Sequence, residues 1–146
     1  PIKMKYDDIW ARDISPTFVY VDGKLTCLNW RFNAWGGRTE GAYYPWDDDN
    51  EFAINIARYL NLPVINVPLT LEGGAIISDG CGTVFTTQSV LLNRNRNPFK
   101  SKQYVEALLK GIRSLENKVD HVELAFLKEK SLEEFILFLV LLSKSP

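Results

Sequence analysis

Two β-rich runs, residues 17–21 (TFVYV) and 25–30 (LTCLNW), lie on either side of Asp22-Gly23. A link that short cannot start a parallel strand, because a parallel pair needs a crossover of about a dozen residues or more. The chain is committed here to an antiparallel hairpin, and Asp-Gly suits the tight turn. A glycine-containing loop follows at residues 31–49, with Trp35, Tyr43, Tyr44 and Trp46. Residues 51–60 (EFAINIARYL) set Phe52, Ile56, Tyr59 and Leu60 at helical spacing. Residues 63–67 read as a short buried strand, and residues 70–87 as two strands around an Asp79-Gly80-Cys81-Gly82 turn. Residues 101–111 (SKQYVEALLKG) predict a second helix, with Ser101 as its cap and Gly111 as its end. The order β-β-α-β, then β-β-α, predicts an α/β fold built on a repeating module, although no sequence repeat is visible.

The last part of the chain has another character. Residues 115–130 are charge-rich, and Ser131-x-x-Glu134 has the form of a capping box before the apolar run 135–142. This predicts a division into residues 1–112 and a divergent helical tail, 113–146. At 146 residues the chain is one domain or a piece of one, and 46% apolar content suffices for a core. A net charge of −1 argues against a nucleic-acid partner, which calls for a basic stripe. The run 135–142 is too short to span a bilayer. Two cysteines, Cys27 and Cys81, fit a reducing compartment, and no signal peptide is read, so the expected location is cytoplasmic. The chain opens on Pro1, with Met4 following, and is expected not to begin where the natural protein begins.

Four stretches set polar groups among glycines or aromatics at strand ends, where α/β sheets expose ligand-binding groups: WARDISP (10–16), NWRFNAWGG (29–37), LEGGAIISDG (71–80) and LLNRNRNP (91–98). Asp13 beside Trp10 offers two acceptor oxygens next to an apolar face, which suits a guanidinium or an amine. The plainer reading is a structural ion pair with Arg12 over a core Trp10, and locally it is the commoner one. Glu72 precedes Gly73-Gly74 and reads evenly as an acid/base or histidine-orienting group or as a buried hydrogen-bond anchor. The run Asp47-Asp48-Asp49 lacks the spacing of a calcium loop and reads as helix N-terminal acid, so no metal is expected. Cys81 in its glycine-flanked turn, like Cys27, reads as a structural thiol, since a nucleophilic one needs a base or cation nearby. The Asn93–Asn97 run lacks a phosphate-cradling glycine loop and reads as a turn bonded to its own backbone.

Taken in order, these stretches resemble the agmatine deiminase family, which includes bacterial-type peptidyl-arginine deiminases. WARDISPTF, WRFNAWGG, PWDDD, EGGAIISDGCGT and LLNRNRNP match its motifs in register, and Ser15 alone departs, where the family usually has Gly. The resemblance implies a pentein α/β-propeller of ββαβ-type modules, here incomplete. It implies hydrolysis of a guanidinium to a ureido group with release of ammonia, without a cofactor. Carboxylates align the cation, a thiolate adds to its carbon, a histidine protonates the departing ammonia, and water clears the covalent intermediate. By resemblance Asp13 grips the guanidinium, Trp10 lines its pocket, Glu72 holds or orients the histidine, and Arg12 braces the carboxylates.

Family members run well beyond this length and carry a G-H-x-D motif and a nucleophilic cysteine further on. His121, in Asp120-His121-Val122-Glu123, is the sole histidine and so the one candidate for the catalytic histidine, although it follows Glu72 too closely for that motif. The chain is therefore expected to be a fragment or a frame-shifted product that gives no turnover by itself. Translation of the flanking DNA in all frames should restore a G-H-x-D motif. The function expected of the family is conversion of agmatine to N-carbamoylputrescine in putrescine synthesis. The rivals are a peptidyl-arginine deiminase and a non-catalytic remnant. The expected partner is a small guanidine, with neither nucleic acid nor membrane, and homo-oligomerisation is left open.

Overall fold

Asp22 and Gly23 take φ values of 49° and 75°, the left-handed pair that a two-residue type I′ hairpin requires. In the computed structural model, which describes residues 2–78, 83–114 and 124–127, that hairpin organises the first sheet. A single helical turn, α1 (Ala11–Ile14), precedes it. Pro16 disfavours helix at the residue before it, and Ser15 is accordingly extended (φ −72°, ψ 153°), so α1 stops there. β1 (Thr17–Val21) then pairs antiparallel with β2 (Lys24–Arg31), as the sequence predicts.

The chain leaves the sheet through α2 (Gly37–Glu40) and α3 (Asp47–Tyr59), and returns as β3 (Val64–Thr70), parallel to β2. Asn29 pairs with Asn66, but Arg31 pairs with Thr70. β3 thus holds two extra residues at this irregularity, where Pro68, which has no N–H to donate, can be accommodated. The second unit follows the same order. β4 (Ile77–Ser78) pairs antiparallel with β5 (Val84–Thr87); α4 (Gln88–Leu91) and α5 (Lys102–Ser114) follow; β6 (Leu124–Leu127) pairs parallel with β5. The predicted α/β class and repeating module are both present, each unit running ββαβ.

Two helical and strand readings are corrected, while the helical spacing of Phe52, Ile56, Tyr59 and Leu60 holds in α3. These four line an apolar groove with Ile2, Met4 and Tyr6, and the buried side chains of α3 are Asp49, Ala53 and Ala57. Small residues let α3 approach β2 closely, and the large ones flank that contact. Gly111 does not end α5, which runs on to Ser114, because Val105, Leu108, Leu109 and Ile112 form one stripe on the core that outweighs a single interior glycine. The segment after Thr70 is a 3₁₀ turn, Gly73–Ala75, before the short β4, not one continuous strand. Ser101 does cap α5, its Oγ accepting the N–H of Tyr104 at 3.2 Å.

The acids at the start of α3 lie in its first turn rather than capping it. The cap comes from Asp7, whose Oδ2 accepts the N–H groups of Asp48 (2.9 Å) and Asp49 (3.2 Å). Asp49 answers by accepting the N–H of Asp7 at 2.8 Å.

One main cluster (Leu28, Trp30, Val67, Leu69, Leu71, Leu91, Val105) lies under α5, and a second (Ile14, Phe32, Ala34) lies under the loop that follows β2. Asn97 finishes β3 as another strand would. Its Oδ1 accepts the N–H of Thr70 and its Nδ2 donates to the Thr70 carbonyl, both at 2.9 Å and both buried. Asn97→Ala leaves two buried backbone groups unpaired and is expected to lower unfolding free energy by about 3 kcal/mol in urea denaturation.

Candidate active site

The carboxyl ends of parallel β2 and β3, and the start of antiparallel β1, fall at one edge of the first sheet. Three loops therefore converge there: residues 10–16 before β1, 32–37 after β2 and 71–75 after β3. Strand ends of this kind leave backbone and side-chain groups free to face a ligand.

The loop after β2 turns sharply, with Ala34 and Trp35 at φ 51° and 68°, a region that non-glycine residues seldom occupy. The turn brings Trp35 edge-on to Trp10, with ring centroids 5.0 Å apart, and packs it at 5.4 Å from Phe32. Trp10 donates its Nε1–H to Asp8 Oδ2 at 3.0 Å. It remains 44% exposed, so its ring is accessible to a ligand.

Asp13 lies on α1 and is half-buried. Its carboxylate faces the glycine pair after Glu72: a Cβ on Gly74 would stand 2.5 Å from Asp13 Oδ1, and one on Gly73 would strike the carbonyl oxygen of Arg12. Only glycine at both positions lets α1 settle on the 3₁₀ turn. Glu72, one residue before that turn, has no exposed surface, and among the described residues neither carboxylate oxygen has a hydrogen-bond partner. Burial pushes its carboxyl above the usual range; the Arg96 charge pulls it down, and the Asp13 charge pushes it up again.

The cation beside this carboxylate is Arg96, with Nη1 3.6 Å from Glu72 Oε2. The sequence pointed to Arg12, but Arg12 is exposed, and it is the Arg12 carbonyl that meets the glycine pair. Adjacent residues of a helical turn cannot share a face, so with Asp13 turned inward Arg12 points elsewhere. Arg96 is anchored by its Nε–H, which donates to the Trp35 carbonyl at 3.0 Å. The turn reading of residues 93–97 holds, with Asn93 Oδ1 accepting from the N–H of Asn95 (2.7 Å) and of Arg96 (3.2 Å). The same segment also carries the Glu72 ion pair and the Thr70 clamp.

Asp49 is occupied by the Asp7 and Asp8 N–H groups and by the Tyr43 hydroxyl. Burial and the Asp49 carboxylate push the Tyr43 phenol well up. Cys27 is fully buried in β2, and burial raises its thiol, so it presents no thiolate at this edge. His121 and Cys81 lie outside the described residues.

Sequence reasoning missed Arg96, Asn97 and Asp7 as functional or organising groups. The alternation of Asn and Arg at residues 93–97 was the only available signal, and it does not say which side chain faces which strand. What converges is an accessible indole, a half-buried carboxylate, and a second carboxylate with open acceptor positions. A flat cation with several N–H donors is complementary to that set.

Residues 1–119 match the family model described as Porphyromonas-type peptidyl-arginine deiminase. A "Putative agmatine deiminase" of Mycoplasma capricolum is 44% identical over 110 residues, which are 75% of this chain and 30% of that protein. The agmatine deiminase of Enterococcus faecalis superposes with a TM-score of 0.69 at 36% identity, over 83% of this chain and 32% of that one. The C. jejuni agmatine deiminase with substrate bound superposes with a TM-score of 0.70 at 27% identity, over 86% of this chain and 35% of that one. The chain thus spans about a third of the length of the relatives it matches. On the extent of the family match and the sequence identity to these relatives, this chain belongs to the Porphyromonas-type peptidyl-arginine deiminase family, together with the agmatine deiminases.

Proposed function

We infer that this chain supplies one wall of a guanidine-hydrolysing active site whose preferred substrate is agmatine. One observation carries the reading: Glu72 is wholly buried, faces the Arg96 guanidinium at 3.6 Å but has no hydrogen-bond partner among the described residues, and lies beside a glycine pair that admits the Asp13 carboxylate. A fold pays this desolvation cost where a partner arrives from elsewhere. In this reading Asp13 grips the guanidinium, Trp10 lines the pocket against the planar cation, and Glu72 receives a ring N–H of the catalytic histidine.

The chemistry sets the division of labour. Guanidinium carbon is a poor electrophile because its charge is delocalised, so alignment precedes attack. A thiolate forms the C–S bond, the tetrahedral adduct expels ammonia with a proton from the histidine, and water then breaks the C–S bond to leave the ureido product. Water is consumed and ammonia is released. The thiolate and the histidine act from other parts of the complete protein, a closed pentein propeller in the cytoplasm serving putrescine synthesis. This reading assigns no site residue within 113–146, His121 included. Peptidyl-arginine is the second reading, favoured by the description of the matching family.

The test is agmatine turnover, read as ureido product and equimolar ammonia. The complete protein is expected to turn agmatine over faster than a peptidyl-arginine substrate. The 146-residue chain alone is expected to give no product. Equal or faster turnover of the peptide substrate would favour the second reading, and no turnover of either by the complete protein would leave the non-catalytic remnant.

A further inference from the structure

The aromatic wall and the buried carboxylate come from different loops, and one side chain touches both. Arg96 is nearly buried, with its side chain 12% exposed. Its Nε–H is committed to the Trp35 carbonyl at 3.0 Å, and its Nη1 lies 3.6 Å from Glu72 Oε2. Trp35 in turn packs edge-on against Trp10. The backbone of Arg96 is pinned as well, its N–H reaching both Asn93 Oδ1 and the Asn93 carbonyl at 3.2 Å.

We propose that Arg96 is a positioning residue that couples the Trp10–Trp35 wall to Glu72, fixing the cation-binding face relative to the carboxylate that orients the histidine. A guanidinium suits this task because its donors form a rigid fork, so one group can satisfy a carbonyl and face a carboxylate at once. A lysine carries the charge but has a single flexible ammonium and cannot reproduce both contacts. The strained loop needs such a tie. Ala34 and Trp35 hold left-handed backbone, and that conformation persists only where surrounding contacts over-determine it. The charged groups acting on Glu72 are Arg96 and, from α1, Asp13. The role given to Glu72 rests on the deiminase reading, but the coupling itself does not, so the test is made without turnover.

In the unmodified, isotope-labelled chain, the Arg96 Nε–H should exchange with water about tenfold or more slowly than that of exposed Arg31. Its resonance should also shift in step with the Glu72 carboxyl as pH is varied. Arg96→Gln should move the Glu72 midpoint to higher pH and displace the indole N–H signals of Trp10 and Trp35. Arg96→Lys should keep the Glu72 midpoint near that of the unmodified chain and still displace both indole signals, a split that a merely structural role does not produce. A fast-exchanging Arg96 Nε–H in the unmodified chain overturns the proposal, whether or not the variants fold. So does an Arg96→Gln protein with an unmoved Glu72 midpoint and unmoved indoles. Absence of turnover in the complete protein, with these signals as expected, would remove the deiminase reading and leave the coupling intact.

Discussion

Asp13→Asn is expected to lower kcat/KM for agmatine by about 100- to 1000-fold in the complete protein. The change is nearly isosteric, so it removes charge and one acceptor face while leaving α1 on its glycine platform. Truncating one partner of a desolvated charge pair costs about 2–5 kcal/mol, and each 1.4 kcal/mol is tenfold. The loss should fall on kcat as well as on KM, because a poorly held guanidinium is also poorly aligned for attack. The thermal midpoint should move little, since Asp13 is only half-buried. Steady-state kinetics with agmatine, beside a thermal melt of each protein, checks both parts. Unchanged kinetics in a folded Asp13→Asn protein would sink the grip assigned to this carboxylate.

Glu72→Gln is expected to move stability and activity in opposite directions. Burial raises the Glu72 carboxyl in the folded state. Between the unfolded carboxyl pKa and that raised value, the native chain binds more protons than the unfolded chain. Stability therefore falls as pH climbs through this window and levels off above it. Glutamine has no such proton to lose, so the variant should melt higher than the parent at neutral pH, with the gap closing toward acid. Arg96 loses its counter-charge in the variant but keeps its bond to the Trp35 carbonyl and some contact with water, which limits the offsetting cost. Activity of the complete protein should meanwhile fall about 1000-fold or more, the scale seen when a carboxylate that orients a catalytic histidine is made neutral. A residue that costs stability and is retained for chemistry is the pattern expected of a functional group. Parallel melts across acidic to neutral pH decide the stability half. A variant less stable than the parent by the same margin at every pH would mean that Glu72 is an anchor of the fold.

Some of this was legible along the chain because the relevant physics is local. Asp22-Gly23 names its own turn type, Pro16 halts the helical turn before it, and Ser101 reaches only to Tyr104. The motifs that carry the family resemblance are contiguous, so Asp13 and Glu72 stood out before any fold was known. Where the reading failed, two local signals competed with a distant one. Gly111 marks a helix end by itself, yet the stripe from Val105 to Ile112 gains more from the core than that glycine costs. The large residues of α3 announced the helix correctly, but which of its faces meets a sheet depends on how closely the sheet must approach.

By itself the sequence determined the hairpin, the two ββα runs, the strand ends that carry polar groups, and the identity of the acids among them. Each of these follows from backbone preference, hydrophobic period or motif order within a short stretch. Only the tertiary structure decided that Arg96 rather than Arg12 faces Glu72, that Asp7 caps a helix 41 residues away, and that Asn97 closes β3 from 27 residues away. Those pairings are set by which groups burial strips of water together, and burial is a property of the packed chain, not of any segment of it.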